Sequence, residues 1–177
     1  MINIPNLLSV FRIILVPCFV FIYFSAQNED VAYFPAIIVL ISGITDILDG
    51  YIARRFNMIT KLGKFLDPLA DKLTQVTIVA CLAVNYRVFI IILIVYFIKE
   101  LCMLIGGIWF IRRFSVLKVS QWFGKVATIE FHIAVMLIIL FPKMDVVPFY
   151  ILVGLTLFCA IFAFVRYIIE FLRIMKV

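Results

Sequence analysis

The chain has 177 residues, 67% of them hydrophobic and only 15% charged, with a mean hydropathy of +1.24. Soluble domains are typically about 45–50% apolar, so this composition excludes a water-soluble domain with an ordinary polar surface. The net charge of +6 comes from 16 Lys and Arg against 10 Asp and Glu. It fits the basic cytoplasmic loops of a membrane protein, and no nucleic-acid partner is expected.

Residues 2–6 read as a short interfacial lead-in, with Pro5 suited to the start of a helix. The opening has no basic n-region and no small-residue cleavage site, so no cleavable signal is expected. Crossing about 30 Å of hydrocarbon takes roughly 20 helical residues. Six stretches qualify, at about 7–26, 31–53, 65–84, 88–111, 121–141 and 146–170. The fourth is interrupted only by Lys99 and Glu100, the fifth by Glu130 and His132, and the sixth is free of charge from Val146 to Val165. Short connections make residues 1–177 one domain: an all-α integral membrane protein with a six-transmembrane-helix bundle. Cys18, Cys81, Cys102 and Cys159 lie far apart in apolar stretches and read as small hydrophobic residues rather than metal ligands.

Orientation follows from the basic residues. With the N-terminus inside, one side holds Arg54, Arg55, Lys61, Lys64, Arg112, Arg113, Lys118, Lys125, Arg173 and Lys176, and the other only Arg87 and Lys143. This bias puts both termini on the cytoplasmic side of the cell membrane.

Four aspartates flank the first basic loop. On a helix, positions i, i+3, i+4 and i+7 share a face, so Asp46, Asp49, Gly50 and Ala53 form a stripe on the second span, with Arg54 at its edge. Asp67 and Asp71 form a matching stripe on the third span, beyond Gly63. The loop turns the chain back, and the two stripes are expected to face each other. Carboxylates near hydrocarbon are costly unless neutralised. An all-oxygen set without His or Cys suits Mg²⁺ or Mn²⁺, and four carboxylates suffice for two such ions around a phosphoryl group. Gly50, Ala53 and Gly63 remove bulk where a ligand would approach the backbone, and Arg54 offers a cation for phosphate.

From Asp46 to Asp71 the residues follow D-x2-D-G-x2-A-R-x8-G-x3-D-x3-D. On this motif the chain resembles the CDP-alcohol phosphatidyltransferase family. The stretches Asn3-Ile-Pro5-Asn6-Leu-Leu and Gly63-Lys-Phe-Leu-Asp67-Pro-Leu-Ala-Asp71-Lys72 resemble its bacterial phosphatidylglycerophosphate synthases and their cardiolipin-synthase relatives. The resemblance implies six transmembrane helices, a homodimer and a cytosol-facing cavity. It also implies a lipid donor, CDP-diacylglycerol, whose pyrophosphate is held by two divalent cations while an alcohol acceptor displaces CMP. Carried over by position, Asp46, Asp49 and Asp67 would be metal ligands. Asp71 would be the general base and also close to a metal, and Gly50, Ala53, Arg54 and Gly63 would contact the cytidine nucleotide.

The acceptor is read from the basic residues further along. Arg112, Arg113, Lys118 and Lys125 surround the fourth connection, and Arg166 lies inside the last span. Together they are candidates for binding the phosphate of glycerol 3-phosphate, although positive-inside loop charge also accounts for the first four. Arg166 could instead pair with Glu170 at i+4. The segment Gly124-Lys125-Val-Ala127-Thr128 has alanine where phosphatidylglycerophosphate synthases usually carry a lysine, which favours phosphatidylglycerol as the alternative acceptor. His132 reads as a satisfied interior histidine. An ion-coupled transporter is the alternative from another class. It would place its charges near the bilayer midplane and would often show inverted repeats; neither feature is seen here.

Overall fold

The computed structural model describes residues 3–26, 33–56, 58, 60, 62–114 and 122–175, without the side chains of residues 54, 64, 65, 103–114, 122, 123, 171 and 173–175. The described residues form six helices: α1 (Ile4–Ser25), α2 (Tyr33–Arg55), α3 (Gly63–Asn85), α4 (Val88–Phe114), α5 (Trp122–Leu140) and α6 (Val146–Met175). Three of them, over Ile4–Ser25, Tyr33–Ala53 and Val146–Glu170, are long and apolar enough by themselves to cross a membrane. The protein is therefore an all-helical membrane protein.

Local sequence explains the helix starts. Pro5, Pro35 and Pro148 each fall in the first turn of their helix, where an N–H has no intrahelical acceptor to lose. The expected lead-in over residues 2–6 is not a separate segment, because α1 already begins at Ile4 after Asn3. Ser9 in its second turn holds its Oγ 3.0 Å from the Pro5 carbonyl, so the hydroxyl stays against the helix backbone.

The helices pack in a closed order: α1 on α2, α2 on α5, α5 on α6, α6 on α4, α4 on α3, and α3 back on α1. α2 and α3 meet directly at few points, and α1 packs against both. The core runs through the bundle on Phe19, Val39, Ile78, Leu82, Ile92, Phe131 and Val153, all 3% exposed or less. The outer surface is apolar too: Phe21, Phe97, Val146, Ile151 and Phe158 are 61–74% exposed. So much exposed hydrocarbon is unfavourable in water and natural against lipid.

The end of the bundle away from the aspartates is tied by polar and aromatic contacts. Asn85 donates to the Tyr23 hydroxyl at 2.9 Å, the Tyr86 hydroxyl reaches the Pro142 carbonyl at 3.2 Å, and the Tyr86 and Phe149 rings lie 5.0 Å apart. The cysteines carry no disulfide, and Cys81 alone is fully buried.

Candidate active site

The buried face of α1 is polar at its start and apolar further in. Asn6, Ser9 and Arg12, spaced i, i+3 and i+6, are at most 2% exposed, and Phe19 continues the face. The polar part lies against the aspartates. Arg12 Nη1 donates to Asp46 Oδ1, and Arg12 Nη2 donates to Asp49 Oδ2 at 2.6 Å. One guanidinium thus bridges both carboxylates of the α2 stripe, using the planar fork that suits arginine to paired oxygens. Ser9 Oγ donates to Asp67 Oδ1 on α3. The helix between the stripes therefore holds a side chain to each of them.

Asp71 is held from its own helix. Gln75, one turn on and 3% exposed, donates through Nε2 to Asp71 Oδ1 at 2.9 Å. The four carboxylates share one electrostatic neighbourhood: Arg12, Asp46 and Asp67 act on Asp49, and Lys72, Asp46, His132 and Arg12 act on Asp71. Each of the four carboxylates keeps an oxygen outside these hydrogen bonds.

Gly63 stands at the first turn of α3, and its missing side chain has a visible use. A Cβ there would lie 2.6 Å from Asn6 Oδ1 and 3.1 Å from Thr60 Oγ1. Thr60 caps the helix, accepting from the Gly63 N–H at 2.9 Å and donating to Asn6 Oδ1 at 3.0 Å. The space at Gly63 thus lets α1 close on the start of α3. Gly50 and Ala53 are half-buried on α2, and the Arg54 side chain lies outside the described residues.

Of the acceptor candidates, Lys118 and the side chains of Arg112 and Arg113 also lie outside the described residues. Lys125 is exposed on α5, and Arg166 is half-buried on α6. Ala127 packs against Ala163 in the α5–α6 contact, so this position looks into a helix interface. His132 Nδ1 lies 2.8 Å from the Thr128 carbonyl, as expected for a satisfied histidine. Glu130 accepts from the Thr156 hydroxyl of α6 at 3.1 Å, away from His132.

Among the described residues, no three His, Cys, Asp or Glu side chains converge as a preformed metal site. Arg12 instead draws Asp46 and Asp49 to itself. The donor chemistry nevertheless fits a hard divalent ion: four carboxylates in one neighbourhood, each with an oxygen outside those hydrogen bonds. The adjoining faces also carry buried polar atoms without a hydrogen-bond partner, namely Asn6 Nδ2, Arg12 Nε and Thr74 Oγ1. Such atoms suit a site that receives a polar ligand.

The local reading of the sequence missed Asn6, Ser9, Arg12 and Gln75 as parts of this site. For Arg12 the signal was present, since a lone arginine inside an apolar span is the same anomaly that singled out Arg166.

Comparison with known proteins decides the family. The model of the CDP-alcohol phosphatidyltransferases matches residues 2–168, nearly the whole chain. The chain belongs to the CDP-alcohol phosphatidyltransferase family. Among similar relatives, proteins named CDP-diacylglycerol–glycerol-3-phosphate 3-phosphatidyltransferase recur. The one from Haemophilus influenzae is 35% identical over 126 residues, covering 70% of this chain and 68% of that protein. That from Wigglesworthia glossinidia brevipalpis is 31% identical over 124 residues, covering 70% and 62%. That from Escherichia coli strain K12 is 44% identical over 70 residues, covering 40% and 38%. The aligned regions thus span from about two thirds down to two fifths of these relatives' lengths. As a CDP-alcohol phosphatidyltransferase, the chain is a membrane-bound transferase of phospholipid biosynthesis.

Proposed function

We propose that this phosphatidyltransferase moves the phosphatidyl group of CDP-diacylglycerol to glycerol 3-phosphate and releases CMP. The observation that carries the reading is that α1 holds Asp46, Asp49 and Asp67 through Arg12 and Ser9, with Asp71 one turn beyond Asp67, in a chain whose relatives bear that activity's name. Asp46, Asp49 and Asp67 would hold two Mg²⁺ or Mn²⁺ ions, with Asp71 close by. When bound, the ions neutralise the donor's pyrophosphate and the charge of the departing CMP.

The chain's own residues do the rest. Asp71, fixed at Oδ1 by Gln75, takes the proton of the acceptor hydroxyl at its other oxygen as that hydroxyl attacks the phosphorus bearing diacylglycerol. No covalent enzyme intermediate is needed. Gly50, Ala53 and Arg54 lie along the α2 stripe for the cytidine nucleotide, and Gly63 contributes by admitting Asn6 beside the site. Arg112, Arg113, Lys118, Lys125 and Arg166 supply the positive charge for the acceptor phosphate.

In this reading all six helices cross the cytoplasmic membrane, with termini and site on the cytoplasmic side, and the protein works as a homodimer like the family it resembles. A lipid donor and two water-soluble partners require a site at the membrane boundary, and the basic loops support that placement.

The test offers purified protein CDP-diacylglycerol and Mg²⁺ or Mn²⁺ with either glycerol 3-phosphate or phosphatidylglycerol, and identifies the lipid by mass spectrometry. Phosphatidylglycerophosphate from the first acceptor is expected, and Asp71→Asn should lower CMP release by about 10²–10⁴-fold. Product from phosphatidylglycerol alone would make the chain a cardiolipin synthase. Undiminished turnover in Asp71→Asn would remove Asp71 as the base.

A further inference from the structure

A second cluster of charge joins α3 to α4 beside Asp71. Lys72 Nζ donates to Glu100 Oε1 at 2.6 Å, and Lys99 Nζ lies 3.0 Å from the same oxygen. Lys99 is itself anchored: its side chain is 15% exposed and its Nζ stands 4.7 Å from the centre of the Tyr96 ring. Glu100 therefore sits between a fixed cation and the flexible stem of Lys72.

Lys72 has another carboxylate within reach. Its Nζ is 3.9 Å from Asp71 Oδ2, near enough for attraction and too far for a hydrogen bond. Asp71 Oδ1 is already engaged by Gln75, so Oδ2 is the oxygen left to meet an acceptor hydroxyl. A movement of about 1 Å would bring Lys72 into a charge-assisted hydrogen bond with Oδ2. Glu100, at 2.6 Å, holds it back.

We propose that Glu100 is a positioning residue, which keeps the Lys72 ammonium off Asp71 Oδ2 and so leaves that oxygen open to the acceptor. The proposal rests on Asp71 being the base. Without Glu100, Lys72 turns to its remaining carboxylate, and the oxygen that should accept the substrate proton is filled by a lysine N–H. The donor nucleotide and its acyl chains are untouched by this change, so the effect belongs to turnover rather than to binding.

The test is a double-mutant cycle in the full-length protein, with each variant checked as a folded species by size-exclusion chromatography in detergent. Glu100→Gln should lower kcat about tenfold or more while KM for CDP-diacylglycerol stays within about twofold. Adding Lys72→Met should restore kcat to the level of Lys72→Met alone, a recovery that a merely structural role for Glu100 would not produce. Glu100→Asp, whose carboxylate is one methylene short of Lys72, should show the same loss and rescue, and it serves if Glu100→Gln is not recovered folded. A double variant no more active than the Glu100 single variant overturns the proposal. So does a Glu100 variant with wild-type kcat, or one whose defect lies in KM. Asp71→Asn is assayed alongside. If it keeps full turnover, the base assignment has failed and the proposal falls with it; if it is inactive while rescue fails, only the role of Glu100 falls.

Discussion

Replacing Arg12 by methionine removes the side chain that bridges Asp46 and Asp49. Arg12 is 1% exposed, and the side chain of Asp49 is 4% exposed, so neither charge can turn to water when the other is lost. Breaking a buried pair by removing one partner costs about 3–5 kcal/mol, most of it from the stranded charge. Asp46 is 33% exposed and retains some hydration, which places the expected loss near the lower end, about 3 kcal/mol. For a chain of this size about 2–4 °C of Tm accompanies each kcal/mol, so the variant should melt about 6–12 °C lower. The assay is thermal unfolding in detergent micelles, followed by circular dichroism. Two companions isolate the cause. Neutralising the carboxylates in Arg12→Met/Asp46→Asn/Asp49→Asn should recover most of the loss. Mg²⁺ or Mn²⁺ should raise the Tm of Arg12→Met more than that of the wild type, because a cation can take up the vacated charge. An Arg12→Met protein melting within about 2 °C of wild type, or a triple variant no more stable than the single one, would refute the reasoning.

Two further substitutions probe the packing of α1 and the setting of Asp71. Gly63→Ala puts a Cβ 2.6 Å from Asn6 Oδ1, so α1 must shift from the start of α3. A loss of about 1–3 kcal/mol is expected, read as a lower Tm, and Asn6→Ala in the same chain should relieve part of it. Gln75→Leu keeps the volume of a buried side chain but removes its hydrogen bond to Asp71 Oδ1. CMP release should fall roughly tenfold through kcat, with Gln75→Glu lower still because a second carboxylate would repel Asp71.

The helices and the aspartate stripes were legible because both are local properties. Apolar stretches of about 20 residues, opened by Pro5, Pro35 and Pro148 or closed by basic clusters, delimit α1 to α6 closely. The spacing of Asp46, Asp49, Asp67 and Asp71 says on its own which residues share a helix face. The neighbour of each face was not legible. Asp46 and Asp49 looked toward the third span because the connecting loop is short, yet the helix against them is α1, which precedes both in the chain. A loop limits the distance between helices but does not prevent a third from lying between them. At Gly63 a missing side chain marks a close approach without saying whether ligand or protein makes it; in the structure Asn6 stands there. The charges of Lys72, Lys99 and Glu100 were visible as interruptions of apolar spans, but their network exists only once α3 and α4 pack.

The position of α1 follows from charge balance on its neighbours. Asp46 and Asp49 on α2 cannot be buried with Asp67 and Asp71 nearby unless a cation comes with them, since like charges in a poorly hydrated space disfavour one another. A lysine could meet one carboxylate as a point charge, whereas a guanidinium offers two donors in a fixed plane and sheds water more easily. Arg12 spends one donor group on each aspartate, and Ser9, one turn earlier, reaches Asp67. These contacts make α1 a counter-charge as well as a membrane anchor. They also set a competition, because divalent ions entering the cluster would draw on carboxylates that Arg12 already holds. The larger metal-induced stabilisation expected of Arg12→Met is the measurable form of that competition. An equal metal response in both proteins would mean that the ions and Arg12 use different oxygens of the cluster.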